Sequence, residues 1–232
     1  MNDSPPAVRL ERMARRYGRN MVLADVSLTV RQGRVVVLHG PNGAGKTTLL
    51  KVVATRLRPS RGSGEVFGYD LVGQAHEVRK RTAMLSVHGG SYPELTAAEN
   101  LRLAARLYGR PAAEEEIERL LGLVSLEEAG GKPVRSFSSG MKKRLAIARL
   151  HLADAGLWLL DEPYAALDEA GKAYVDRLLI SAREDGRTVL LASHELERVR
   201  RFADAVLQVE QGFVRLLEAR EGQAGREEVQ GV

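Results

Sequence analysis

The sequence predicts an α/β fold with a mostly parallel core sheet, an antiparallel β subdomain and a helical subdomain. Apolar runs at residues 35–38, 157–160 and 188–192 lack polar alternation, which is typical of strands buried on both faces. Segments with helical spacing separate these runs, as in a parallel sheet covered by helices. With 232 residues and 44% hydrophobic content, we expect a single domain over residues 1–232 with a sizeable core.

Two segments near the start of the chain predict the antiparallel layer. Residues 8–13 and 22–30 have strand character, and the second segment alternates inward-facing Val26, Leu28 and Val30 with polar neighbours. Alternation of this kind indicates a sheet with one face on the core and one face toward solvent.

A glycine-rich turn follows the first buried run and opens into a helical pattern. Gly40, Gly45, Lys46 and Thr47 satisfy the spacing G-x-x-x-x-G-K-[ST], and the flanking strand and helix supply the context that this motif requires. Glycines let the backbone curl around a polyphosphate, and the helix N-terminus presents unpaired amides to the same anion. We expect Lys46 to reach the β- and γ-phosphates and the Thr47 hydroxyl to ligate Mg²⁺. This P-loop, residues 40–48, predicts a nucleoside triphosphate site.

Two carboxylates, Asp161 and Glu162, follow the buried run at residues 157–160. At the C-terminal edge of a parallel sheet, Asp161 is expected to hold the Mg²⁺ shell through water and Glu162 to orient an attacking water. A kinase would need room for a second substrate there. The paired carboxylates therefore favour hydrolysis over phosphoryl transfer to a second substrate.

The middle of the chain, about residues 88–140, is rich in helix formers and predicts the helical subdomain. Thr96 and Glu99 have the spacing of a capping box, and the apolar side of the helix that they start is expected to include Leu101 and Leu107. At the other end of the sequence, two strands joined by Gln211 and Gly212 predict a closing hairpin, and the polar residues 220–232 predict a flexible tail.

Composition bounds the class of protein. The chain has no Cys, which leaves no disulfide or thiolate metal site and fits a reducing compartment. The sequence has no basic-then-apolar leader pattern and no apolar run approaching about 18 residues, so we expect a cytoplasmic protein. The formal net charge is +5, and the basic residues are scattered among 30 acidic ones. This pattern predicts a solvated surface and no direct contact with nucleic acid.

Residues 137–141, Phe-Ser-Ser-Gly-Met, form a polar turn that opens a helix. By itself, Ser-Ser-Gly before a helix is an ordinary N-cap. Upstream of Asp161 and Glu162, however, the turn matches the signature motif of ATP-binding-cassette (ABC) ATPases. The chain therefore resembles the nucleotide-binding subunit of an ABC transporter, and the resemblance extends from Tyr17 to about Leu217.

The resemblance implies a role for each matching position. Tyr17 takes the place of the aromatic residue that stacks on adenine, Asp168 lies in the D-loop, and His194 takes the place of the switch histidine that contacts the γ-phosphate. The implied catalytic residues are Glu162, His194 and Lys46, and the implied ligands of Mg²⁺ are Thr47 and Asp161. The implied ATP-binding residues are Tyr17, Gly40, Pro41, Asn42, Gly43, Ala44, Gly45, Lys46, Thr47, Thr48, Ser138, Ser139, Gly140 and Asp168.

Two positions depart from the family pattern. His88 stands where the family usually has a metal-contacting Gln, and a neutral imidazole cannot reproduce an amide carbonyl on a hard cation. His88 is therefore a poorer candidate for a metal ligand than Thr47 and Asp161. We expect it to act mainly in coupling to a membrane partner. In the signature, Ser139 replaces the usual Gly and adds a Cβ near the expected phosphate.

The resemblance also implies partners. The P-loop of one subunit and the signature of another must close on the same ATP, which implies a head-to-tail homodimer of this chain. Separate integral membrane subunits would be energised by ATP hydrolysis through contacts with the loop at residues 88–95. The chain would then be peripheral on the inner face of the cell membrane. Residues 157–163 resemble the haem exporter linked to cytochrome c maturation, whereas residues 137–144 resemble exporters of drugs or polysaccharides. A soluble cassette acting on ribosomes or nucleic acid, and a P-loop kinase, are the alternatives.

Overall fold

Two sheets organise the part of the chain that the computed structural model describes, which is residues 4–86, 90–220 and the backbone of residues 229–231. The strands are β1 (Val8–Tyr17), β2 (Asn20–Val30), β3 (Val35–His39), β4 (Arg61–Val66), β5 (Tyr69–Asp70), β6 (Thr82–Leu85), β7 (Leu157–Asp161), β8 (Thr188–Ala192), β9 (Ala205–Glu210), β10 (Phe213–Ala219) and β11 (Val229–Gly231). The helices are α1 (Lys46–Val53), α2 (Ala75–Arg81), α3 (Ala97–Leu107), α4 (Glu114–Leu123), α5 (Ser139–Leu152), α6 (Glu169–Glu184) and α7 (Leu196–Val199).

The core sheet has six strands in the order β10-β9-β3-β8-β7-β6. The five strands β9, β3, β8, β7 and β6 are parallel to one another, and the edge strand β10 pairs antiparallel with β9. Every residue of β7 and β8 is buried, as the unbroken apolar runs predict. The predicted α/β fold with a mostly parallel sheet is confirmed. Because β3 and β7 end at the same edge, the segments that follow them approach each other.

The second sheet has the order β11-β2-β1-β4-β5, and its pairs are antiparallel. Val26, Leu28 and Val30 of β2 are buried as expected. A hairpin that the sequence analysis does not predict joins β4 to β5 through Phe67 and Gly68, whose φ angles of 49° and 79° are typical of a tight two-residue turn. Most of the expected flexible tail lies outside the described residues, whereas β11 within it pairs with β2.

The helical group contains α3, α4 and α5 and covers one side of the core sheet. Thr96 caps α3 by accepting a hydrogen bond from the Glu99 amide, and the Glu99 carboxylate accepts one from the Thr96 amide, so the predicted capping box is confirmed. Leu107 is 68% exposed, contrary to expectation, since it is the last residue of α3 and lies beyond the buried residues of that helix, which are Ala97, Asn100, Leu101, Ala104 and Ala105. The extent of the helical subdomain, residues 88–140, stays a prediction.

A cluster of rings joins α5, α6 and β7. The His151 Nε2 atom lies 2.9 Å from the hydroxyl of Tyr174, and the His151 ring meets Trp158 edge-on at 6.5 Å. The Arg187 guanidinium lies 5.3 Å from the centre of the Trp158 ring. Burial lowers the pKa of His151, and the charges of Arg119 and Arg187 add to the effect, so this ring is neutral at neutral pH.

Thr96→Ala is expected to lower the free energy of unfolding by about 1 kcal/mol, because the amide at the start of α3 loses its acceptor. Thr96→Ser keeps the hydroxyl and is the matched control. Urea unfolding followed by circular dichroism measures both variants. A Ser variant that is destabilised as much as the Ala variant would contradict the capping role.

Candidate functional site

The P-loop connects β3 to α1, and its glycines are required by close contacts. A Cβ at Gly40, whose φ is 151°, would lie 2.1 Å from the main-chain oxygen of Val209 on β9. A Cβ at Gly45, whose φ is 107°, would lie 2.9 Å from the Leu23 side chain. The core strand and the antiparallel sheet therefore press on the loop from two sides, and only glycine fits at these two positions.

Lys46, the first residue of α1, folds back over the loop. Its ammonium donates hydrogen bonds to the main-chain oxygens of Gly40 at 2.7 Å and Pro41 at 3.0 Å, and only 6% of the residue is exposed. Burial lowers the pKa of Lys46, while the charges of Glu162 and Asp161 oppose that change. The carbonyls hold two of the three ammonium protons, and anionic phosphate oxygens would be stronger acceptors in their place.

Thr47 and Asp161 meet across the sheet edge. The Thr47 hydroxyl lies 2.9 Å from Oδ1 and 3.0 Å from Oδ2 of Asp161, which is 1% exposed at the end of β7. A hydroxyl and a carboxylate side by side are the hard oxygen ligands that suit Mg²⁺. Among the described residues no group of three or more His, Cys, Asp or Glu side chains is arranged to hold a metal ion.

Glu162, His194 and Asn42 form a side-chain network beside this pair. The His194 Nε2 atom lies 3.1 Å from Glu162 Oε1 and 2.8 Å from Asn42 Oδ1. Both partner atoms are acceptors, so Nε2 carries the hydrogen in this arrangement. The network joins the P-loop to the residues that follow β7 and β8. The structure thus brings five predicted positions together at one edge of the core sheet: Asn42, Thr47, Asp161, Glu162 and His194.

Two other predicted positions are Tyr17 and His88. Tyr17 is at the end of β1, 44% exposed, with the Arg15 guanidinium 4.7 Å from its ring centre. An exposed ring leaves a face that a flat base could stack on. His88, the third metal candidate, lies outside the described residues.

The signature and Asp168 lie at the N-termini of two helices, α5 and α6. The Ser138 hydroxyl caps α5 by accepting a hydrogen bond from the Met141 amide at 3.2 Å, and Ser138 and Ser139 are exposed. Asp168 caps α6 in the same way, accepting from the Gly171 amide at 2.9 Å and from Arg144 at 2.8 Å. The Gly171 amide and then Arg144 hold the pKa of Asp168 below its usual range.

Sequence analysis missed one buried cation, Lys143. It is 6% exposed, and its ammonium donates a hydrogen bond to the main-chain oxygen of Glu162 at 2.9 Å. A signal was available, because Lys143 precedes the buried Ile147 and Leu150 at helical spacing and therefore lies on the buried face of α5.

Comparison with known proteins gives one family. The family model for ABC transporters matches residues 23–165. The chain is 34% identical to Nod factor export ATP-binding protein I of Ralstonia nicotianae and 38% identical to daunorubicin resistance ATP-binding protein DrrA3 of Streptomyces coeruleorubidus, covering 90% of this chain and 66% of each relative. It is 37% identical to the ABC transporter ATP-binding protein NatA of Bacillus subtilis, over 82% of this chain and 78% of the relative. The chain thus spans somewhat less than two thirds of the length of the first two relatives.

Solved structures share the fold. The ATP-binding cassette MJ0796, in a dimeric post-hydrolysis state bound to ADP and Pi, superposes with a TM-score of 0.84 at 25% identity, over 93% of this chain and 99% of that one. An ATP-binding subunit of an ABC transporter superposes with a TM-score of 0.83 at 31% identity, over 92% and 90%. No helix within the described ranges has the length and apolar character needed to cross a membrane.

Proposed function

This chain belongs to the ABC transporter family and is an ATP-hydrolysing cassette, and from this premise we propose that it is the ATP-binding subunit of an exporter. One observation carries the proposal. The side chains that bind phosphate, hold a hard cation and orient water in such chemistry meet at the edge where β3 and β7 end. Thr47 and Asp161 are 114 positions apart in the sequence, and the parallel sheet brings them to the same edge, where ligands bind in folds of this kind.

Each residue has a distinct part in hydrolysis. The P-loop amides and Lys46 bind the phosphates, with the Lys46 ammonium exchanging its bonds to the Gly40 and Pro41 carbonyls for bonds to phosphate oxygens. Thr47 and Asp161 would hold Mg²⁺, which would neutralise charge on those oxygens. The Glu162 carboxylate accepts a proton from the attacking water, and the His194 imidazole, which is hydrogen-bonded to Asn42, lies 3.1 Å from that carboxylate.

A second copy of the chain completes the site. Ser138 and Ser139 are exposed at the N-terminus of a 14-residue helix, where unpaired amides attract an anion. A head-to-tail pair would place this N-terminus on the phosphates held by the partner's P-loop. The dimeric state described for the cassette MJ0796 supports this arrangement.

The names of the relatives support the class of transported substrate. Nod factor export and daunorubicin resistance favour an exporter of the drug or polysaccharide type over the haem exporter that residues 157–163 resemble. Separate integral membrane subunits would select the substrate, and this chain would bind them from the inner face of the cell membrane.

Mixing two inactive variants tests the shared site. Lys46→Ala removes the P-loop function, and Ser138→Arg puts a long side chain where the partner's γ-phosphate should sit. Each variant alone is expected to hydrolyse little ATP. In an equal mixture about half of the pairs are mixed and hold one intact site, so about a quarter of the wild-type rate should return.

The control mixes the double variant, which carries both Lys46→Ala and Ser138→Arg in one chain, with the single variant Lys46→Ala. That mixture contains no intact site and should stay inactive. Phosphate release measured over a range of mixing ratios gives the result. Full activity of Ser138→Arg by itself, or no recovery on mixing, would contradict the shared site.

A further inference from the structure

Lys143 is a buried cation to which the hydrolytic mechanism assigns no part. Its ammonium lies close enough to Asp161 and Glu162 for both carboxylates to raise its pKa, although burial lowers that pKa by more. The hydrogen bond from Lys143 ends on the main-chain oxygen of Glu162. A buried ammonium is unfavourable unless such partners hold it, so its position is fixed by these groups.

The main chain of Glu162 needs support. Its φ of 48° is in the left-handed region, which non-glycine residues rarely adopt, and Ala166 nearby has a φ of 65°. The Glu162 amide donates to the Ala192 oxygen on β8 at 2.9 Å. The Glu162 oxygen accepts from Lys143 at 2.9 Å and from the Ala165 amide at 3.2 Å. Lys143 is thus the only one of these contacts that comes from the helical group.

We propose that Lys143 is a positioning residue for Glu162, holding the strained backbone so that the Glu162 carboxylate stays against His194. The proposal rests on the proposed hydrolytic role of Glu162. Lys143 follows Ser138 by little more than one helical turn, and a Cβ at Gly140 would lie 2.8 Å from the Ala166 oxygen, so the first turns of α5 also touch the segment after Glu162.

A purely structural lysine would behave differently on substitution. Replacing both members of a buried ion pair with apolar side chains is often neutral, whereas removing one partner is destabilising. Lys143→Met should therefore lower the thermal midpoint but keep ATP affinity, because Lys143 donates its hydrogen bond to Glu162 rather than to the P-loop residues that bind phosphate. Its single-turnover rate of ATP hydrolysis is expected to fall on the order of 10²-fold, since small misplacements of a reacting group have effects of this size.

Lys142→Met is the matched control, because Lys142 is the exposed neighbour on the same helix and should keep the wild-type rate. Lys143→Gln keeps an N–H donor of shorter reach and should lose less activity than Lys143→Met. It also provides a second test if the Met variant fails to fold. A wild-type hydrolysis rate in Lys143→Met or, if that variant does not fold, in Lys143→Gln would overturn the proposal.

A double variant tests whether Lys143 acts through Glu162. In a Glu162→Gln background, Lys143→Met should cause a much smaller further loss than in the wild type, because the group that it positions is already gone. The same fold-loss in both backgrounds would overturn the positioning role. Absence of hydrolysis by the wild-type chain together with its membrane subunits would instead refute the proposed function and is distinguishable from either result.

Discussion

Glu162→Gln is expected to lower ATP turnover by about 10²–10⁴-fold, the usual contribution of a general base. The amide that replaces the carboxylate cannot accept the proton from water. Lys46, Thr47 and Asp161 stay in place, so the variant should still bind ATP and Mg²⁺. Removal of one negative charge beside the triphosphate favours retention of the uncleaved nucleotide.

The same substitution should also change the state of association. With ATP retained between two chains, Glu162→Gln is expected to accumulate as a dimer, whereas the wild-type chain without nucleotide should be mainly monomeric. Adding Ser138→Arg should return the trapped form to monomer. Light scattering with and without ATP measures the mass of each protein.

Glu184→Gln is the matched control for charge, because Glu184 is exposed at the end of α6 and should leave both turnover and mass unchanged. A Glu162→Gln protein that binds ATP and yet stays monomeric at high concentration would contradict the head-to-tail arrangement. Turnover at the wild-type level would contradict the role of Glu162 itself.

Lys46→Ala is expected to abolish nucleotide binding, with a loss of about 2–5 kcal/mol of binding free energy, as for other buried charge pairs that lose one partner. The ammonium lies in the loop that would surround the phosphates and is 6% exposed, so water cannot replace it easily. Titration calorimetry with Mg-ATP measures the affinity, and circular dichroism checks the fold.

Lys51→Ala is the control for Lys46→Ala, since it removes a cation from the last turn of the same helix. It should keep the wild-type affinity. Unchanged ATP affinity and turnover in Lys46→Ala would reject the P-loop assignment, and an equal loss in both variants would point to a general effect on α1.

The core sheet and its active edge could be predicted because their determinants are local. An unbroken apolar run identifies a strand buried on both faces, and strands of one parallel sheet end at the same edge. Thr47 and Asp161 are therefore expected to meet despite a separation of 114 positions in the sequence, and the Thr47 hydroxyl lies 2.9 Å from Asp161 Oδ1. The capping box of Thr96 is equally local and was found for the same reason.

Features that depend on tertiary packing could not be read from local patterns. Leu107 completes an apolar pattern in the sequence, yet it is exposed because it is the last residue of α3 and lies beyond the buried residues of that helix. The left-handed backbone of Glu162 has no sequence signal, since Glu disfavours that conformation and only the surrounding contacts enforce it. The spacing of Lys143 with Ile147 and Leu150 indicates the buried face of α5, but its hydrogen bond to the Glu162 oxygen depends on where α5 packs.

The ring cluster between α5, α6 and β7 gives the protein a built-in optical reporter. Trp158 is the only tryptophan in the sequence, so the intrinsic fluorescence excited at the red edge of the absorption band comes from one indole. That indole is 4% exposed and contacts His151 of α5, the helix whose other end carries the signature. Its emission therefore monitors the packing of α5 against the core sheet, without any attached dye.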